Sequence, residues 1–269
     1  MKEKRDDIDN SIDEEQLTEI ERMRNPRRKK GRAERIWKPW RLRFNDNYRY
    51  VSKNPGLAFL YYFAVFVGMP FVYLYYKVKY DFRVIDKKNV KALKKRSAVT
   101  VANHVHDVDA MMLSYVFYPS FPYFIARRHN FEAFVLGGLV RVLRGVPLPE
   151  DTRHLERFTE QINDVLQRTR RKVHMFPEGE IEAYAKELRP FKNGAFHFAV
   201  KNNAPVLPMV FVFPGGRKIH LIVGKPVMLE DVPGASGVKE PKQVIMMNKY
   251  VHQTMQDTMN SYYEELEKK

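Results

Sequence analysis

The stretch Ala98-Val99-Thr100-Val101-Ala102-Asn103-His104-Val105-His106-Asp107-Val108-Asp109 decides how this chain is read. Its first five residues form a short, largely apolar run that reads as a strand. His104 follows at the C-terminal end of that run, where active sites gather in open α/β sheets. Asp109, five positions on, falls in the first turn of a following helix and can fold back onto the imidazole. A carboxylate on one ring nitrogen fixes the tautomer and raises the basicity of the other nitrogen. That nitrogen can then take a proton from an attacking hydroxyl. Asn103 is placed to brace the loop or to donate a hydrogen bond to substrate.

Outward from this stretch, strands and helices alternate. Residues 121–126, 173–176, 206–212 and 219–223 read as further strands. Helical patterns cover 109–118, 131–143, 152–169, 193–201 and about 241–267. The third places Leu155, Phe158, Ile162, Val165 and Leu166 on one face, and the fourth gathers Phe196, Ala199 and Val200. The last carries Val244, Met247, Val251, Met255, Met259 and Tyr262 at helical spacing, as a core-facing stripe does. The alternation specifies an α/β fold with a mostly parallel central sheet flanked by helices.

The chain has 269 residues, 44% of them apolar and 13% aromatic, which suffices for one large domain with appendages. There is no cysteine, so disulfides, thiolate metal sites and a cysteine nucleophile are excluded. The formal net charge of +15 is unevenly placed. Residues 1–26 are net acidic, lack an apolar signal-peptide core and read as a disordered arm. Residues 27–53 carry eleven basic and two acidic side chains, mixed with Trp37, Trp40, Phe44, Tyr48 and Tyr50, a composition suited to lipid headgroups. Residues 77–96 carry nine basic and two acidic side chains. Positions 54–76 between these belts carry no charge. Basic belts suit nucleic acid or anionic lipid. The apolar segment favours an anionic membrane, and no nucleic-acid motif is present.

Residues 57–76 are long enough to reach across a bilayer, but Gly68-Met69-Pro70 interrupts them and nine of the twenty are aromatic. Two short helices dipping into one leaflet are expected, with a true span and a soluble core helix as the alternatives. The expected organisation is therefore an arm over 1–26, a basic and aromatic membrane-association region over 27–79 with a membrane-embedded helical segment over 57–76, and an α/β domain over 80–269.

A second stretch, Phe176-Pro177-Glu178-Gly179, ends another apolar run with a carboxylate and a glycine at a turn. No Gly-x-Ser-x-Gly elbow and no glycine-rich phosphate loop occurs, so the hydroxyl belongs to a substrate and no nucleotide cofactor is called for. Direct acyl transfer, with a general base and oxyanion donors, needs neither metal nor cofactor.

Asn103-His104-x4-Asp109, then Phe176-Pro177-Glu178-Gly179, then Val206-Leu207-Pro208-Met209 resemble the first, third and fourth blocks of the glycerolipid acyltransferases, of the bacterial 1-acylglycerol-3-phosphate type. Pro190-Phe191-Lys192-Asn193-Gly194 resembles the connecting Pro-Phe-Lys-x-Gly of that family. The resemblance covers roughly residues 80–230. It implies that His104 is the general base, Asp109 its partner, and acyl-CoA or acyl carrier protein the donor. It also implies a lyso-lipid acceptor lined by Glu178 and Gly179, and a place on the cytoplasmic face of a membrane. Two family arginines that hold the acceptor phosphate are absent. Glu150 stands near one slot, and Glu180-Ile181 replace the Thr-Arg pair of the other. Arg144, Arg153, Arg189 and Lys192 are the candidates to replace them, and Arg127 and Arg128 are further candidates for donor or headgroup contact. The added carboxylates suit a neutral or zwitterionic acceptor better than a phosphomonoester. Two rival readings remain. One is a metal-dependent hydrolase using His104, His106, Asp107 and Asp109, and the other a non-enzymatic membrane-binding protein. His106, His174 and His197 receive no role.

Overall fold

The computed structural model describes Phe44 and residues 47–93, 95–132 and 134–268. The acidic arm and the basic stretch with Trp37 and Trp40 lie outside the described residues. In chain order the elements are helix α1 (Pro55–Tyr80), β1 (Arg83–Ile85), β2 (Ala98–Ala102), α2 (Asp109–Ser114), β3 (Tyr123–Arg127), α3 (Phe134–Val142), β4 (Gly145–Leu148), α4 (Thr152–Arg168), β5 (Lys172–Met175), α5 (Gly194–Lys201), β6 (Val206–Val212), β7 (His220–Val223) and α6 (Glu240–Glu267).

Among the described residues the strands form one seven-stranded sheet in the order β1-β7-β6-β2-β5-β3-β4. All neighbours run parallel except β6 and β7. The mostly parallel α/β fold is thus present. β2 is central, with Val101 beside Met175 of β5 and Ala102 beside Met209 of β6. All five β2 residues are buried, as strands covered on both faces require. Val99 and Val101 face one core with Phe158, Phe196 and Met255, while Ala98 and Ala102 face the other with Met112, Tyr76 and Tyr80. The short strands β1 and β4 carry too little apolar pattern to be read from sequence. They add to the sheet at its edges.

Three expectations are corrected. α1 is one continuous helix, not two. Residues Ala64–Gly68 form a π turn, and the Met69 N–H reaches back five residues to the Ala64 carbonyl. The register change falls beside Pro70, which has no N–H to give, so the helix passes the proline unbroken. Leu155 does not share the buried face of α4: it is 43% exposed, whereas Phe158, Ile162, Val165 and Leu166 are buried. Tyr50, read as a headgroup-facing ring, is largely buried against α4, where it meets Phe158 edge to face at 5.4 Å, with Phe44 and Tyr48 packed beside it.

α1 packs along the body by a stripe of Tyr61, Val65, Met69, Tyr76 and Tyr80. Two of its tyrosine hydroxyls are tied inward, Tyr61 to the Pro119 carbonyl at 2.7 Å and Tyr73 to Ser114 at 2.9 Å. Its outer face is apolar and open, with Phe59, Phe71 and Val78 each at least 70% exposed. The core-facing stripe of α6 is as expected, from Val244 to Met259.

Phe158→Ala should lower the unfolding free energy by about 3–5 kcal/mol, whereas Leu155→Ala on the same helix should stay within about 0.5 kcal/mol of the parent. Chemical denaturation followed by circular dichroism checks both.

Candidate active site

β2 and β5 are parallel neighbours, so the loops after them emerge at one edge of the sheet. His104 lies two residues past β2, and Glu178 three past β5. Asp109 opens α2, as expected, and is fully buried. Its Oδ2 accepts from His104 Nδ1 at 3.0 Å, from the Val105 N–H at 2.6 Å and from the His106 N–H at 2.9 Å. A carboxylate only accepts, so this network assigns the proton of the neutral ring to Nδ1 and leaves Nε2 as the proton acceptor. The His104 side chain keeps 21% exposure, enough to meet a substrate.

Phe176 lies flat on the imidazole, with ring centroids 4.0 Å apart and planes 13° from parallel. Behind it stands His174, wholly buried, with Nδ1 2.9 Å from the Thr100 hydroxyl and its ring edge-on to Phe176. Burial, reinforced by the nearby His104, pushes the His174 imidazole down to about 3, so it stays neutral. The sequence by itself gives His174 no role. Only the register, which sets Thr100 opposite His174, shows both His174 and Phe176 supporting the His104 ring.

Glu178 is buried, and both its oxygens serve backbone. Oε2 accepts the His104 N–H at 2.9 Å and Oε1 the Arg189 N–H at 3.2 Å. Burial raises its carboxyl above the ordinary range, against the pull of those two N–H groups. Glu178 thus holds the loop that carries His104. Asn103 braces the loop, the first of its two expected roles. Its amide donates to the Phe211 carbonyl at 3.0 Å and accepts the Phe211 N–H at 2.8 Å.

Gly179 has φ 77°, a backbone conformation that favours glycine, and lies against the Lys192 side chain. Its carbonyl accepts from Arg127 at 2.6 Å. Arg127, the last residue of β3, also reaches Glu180 at 3.4 Å. Arg189 pairs with Glu180 at 3.6 Å and Glu182 at 3.8 Å. The loop after β5 thus brings Arg127, Arg189, Lys192, Glu180 and Glu182 to the rim beside His104. Arg144 is not among them. It immediately precedes β4, so it stands at the opposite edge of the parallel sheet, away from His104.

The residues of the metal-hydrolase reading do not converge. His106 packs toward Tyr80 and Tyr184, Asp107 is exposed, and Asp109 is committed to the loop. Among the described residues no group of three or more His, Asp or Glu could hold a metal ion. What the site offers is an imidazole whose Nε2 is left as acceptor by a buried orienting carboxylate, on a loop fixed from both sides.

Residues 81–212 match the family model described as Acyltransferase. The chain is 29% identical over 135 residues to the 1-acyl-sn-glycerol-3-phosphate acyltransferase of Saccharomyces cerevisiae, over 48% of this chain and 42% of that protein. It is 33% identical over 134 residues to the 1-acyl-sn-glycerol-3-phosphate acyltransferase beta of Homo sapiens, over 48% of this chain and 46% of that protein. The match thus spans a little under half the length of each relative. The fold is that of the 1-acyl-sn-glycerophosphate (LPA) acyltransferase PlsC of Thermotoga maritima, with a TM-score of 0.52 at 19% identity, covering 78% of this chain and 96% of that one. The His104–Asp109 pair, Glu178 and the sheet edge that joins them all lie between residues 81 and 212, and over that span the chain carries an acyltransferase-family domain.

Proposed function

We propose that this protein moves a fatty acyl group from a thioester donor, acyl-CoA or acyl carrier protein, to the hydroxyl of a lyso-glycerolipid at the cytoplasmic face of a membrane. The observation that carries this reading is the bond from His104 Nδ1 to buried Asp109 inside an acyltransferase-family domain. Nε2 takes the proton of the acceptor hydroxyl as its oxygen attacks the thioester carbonyl. Asp109 steadies the positive charge that develops on the ring. The tetrahedral intermediate then collapses, the C–S bond breaks, and the imidazolium returns the proton to the leaving thiolate.

The relatives named above act, by their names, on 1-acyl-sn-glycerol-3-phosphate, and lysophosphatidic acid is the first acceptor to test. A specific observation favours a second class. Glu180 and Glu182 already pair with Arg127 and Arg189, which weakens the hold on a phosphomonoester and adds negative charge for a zwitterionic lyso-lipid.

Membrane association fits the outer face of α1, where Phe59, Phe63, Phe66, Phe71, Leu74 and Val78 are all exposed. The helix is joined to the body from Tyr61 to Tyr80, so it suits lying in one leaflet beside the domain better than crossing the bilayer alone.

His104→Ala should reduce acyl transfer by about 10²–10⁴-fold, and Asp109→Asn by a comparable factor through the wrong tautomer. Both are read with labelled acyl-CoA and acyl carrier protein donors against a panel of lyso-lipids, and undiminished turnover in His104→Ala would overturn the assignment. Glu180→Gln with Glu182→Gln should raise the kcat/KM ratio of lysophosphatidic acid over lysophosphatidylcholine by about tenfold, since charge-assisted contacts to phosphate are freed. Phe71→Glu with Val78→Glu should release the protein from phosphatidylcholine vesicles in a flotation assay without changing its circular dichroism.

A further inference from the structure

The edge of the sheet opposite His104 carries a feature that the acyl-transfer chemistry does not use. A cavity of about 340 Å³ opens there, between the start of α1 and the N-terminal ends of β3 and β4. Five cations line it: Arg49, Lys53, Arg141, Arg144 and Arg171. No Asp or Glu lines it, and none of the five has an ion-pair partner among the described residues. The carboxylate that Tyr50 senses in this neighbourhood, Asp151, is engaged with His154 at 2.7 Å.

Arg144 is built in. Its guanidinium lies 3.8 Å above the Tyr61 ring and 5.8 Å from that of Tyr123, and Nη1 donates to the Phe121 carbonyl at 2.7 Å. Burial and the neighbouring Arg171 both disfavour its charge. Like charges held together in a half-buried cavity, with no counter-ion among the described residues, repel one another and favour an anion between them. The amides at the start of α1 do not supply the site, because Asn54 already accepts the Gly56 and Leu57 N–H groups. The guanidinium forks do, and their geometry suits phosphate oxygens.

The same cavity includes Leu57, Ala58 and Tyr62 of α1, at the end of its open apolar face. A ligand with its phosphate among the arginines would place apolar chains along that face. We propose that this cavity binds the phosphate headgroup of an anionic phospholipid, as a docking site separate from the acyl-transfer site. It rests on the membrane-facing reading of α1. α1 runs from this cavity to the His104 edge, about 39 Å at the α-helical rise, so a lipid held here would anchor one end of the helix while the other presents the active site.

The test compares the full-length parent, Arg141→Gln with Arg171→Gln, and a control that removes the same charge at exposed sites on α6, Lys242→Gln with Lys249→Gln. Partition is measured onto phosphatidylcholine vesicles with and without phosphatidylglycerol. Calorimetry then follows soluble dihexanoyl phosphatidylglycerol and inorganic phosphate separately. The expected result is one saturable site for the short-chain lipid in the parent and the control, abolished in Arg141→Gln with Arg171→Gln. Partition onto anionic vesicles should fall about tenfold or more in that variant beyond any loss in the control. Equal losses in the two double variants would show diffuse attraction and overturn the inference. Inorganic phosphate binding as tightly as the short-chain lipid would make this a free-anion site and also overturn it. Failure of the parent to bind phosphatidylcholine would instead reject the membrane reading of α1, a result independent of the calorimetry. Neither Arg141 nor Arg171 makes a side-chain hydrogen bond among the described residues, so the variant should keep the parent's circular dichroism.

Discussion

Two buried carboxylates organise the loop that carries His104. Residues 103–108 leave β2 without entering regular structure, so their backbone N–H groups need partners from elsewhere. Asp109 accepts two of them and the His104 ring; Glu178 accepts the N–H of His104 itself and that of Arg189. Asn103 ties the same loop to Phe211 on β6. The loop is therefore fastened toward β5 on one side and β6 on the other, and the imidazole is fixed in position and tautomer before any substrate arrives. Such preorganisation is where enzymes of this kind obtain much of their rate.

The parallel sheet makes this possible. A strand pair of one direction delivers its two following loops to one edge, and the central strand has such a neighbour on each side. That is why residues about seventy positions apart meet at His104, and why Phe176 can lie flat on its ring. The reversed pair β7 and β1 closes the sheet beyond β6 and leaves this edge undisturbed.

Charge is sorted by the same geometry. The rim beside His104 mixes Arg127, Arg189 and Lys192 with Glu180 and Glu182, so its cations are partly paired. The opposite edge collects arginines from three separate stretches of chain with no carboxylate lining the cavity between them. Nothing in the local sequence separates these two populations, because it is strand direction that sends Arg127 to one edge and Arg144 to the other.

The sequence alone determined the strand–helix alternation, the position of most elements, the His104–Asp109 pair and the core stripe of α6. Each depends on short-range periodicity or on partners within one turn, and short-range pattern is written directly in the chain. The roles of Asn103, Glu178, Phe176 and His174, the continuity of α1 past Pro70 and the separation of Arg144 from the active site were decided by tertiary structure. Their partners lie tens of residues away, and whether a polar group is consumed by backbone or left for substrate depends on which strands become neighbours. An isolated carboxylate or arginine in a sequence carries no record of that choice.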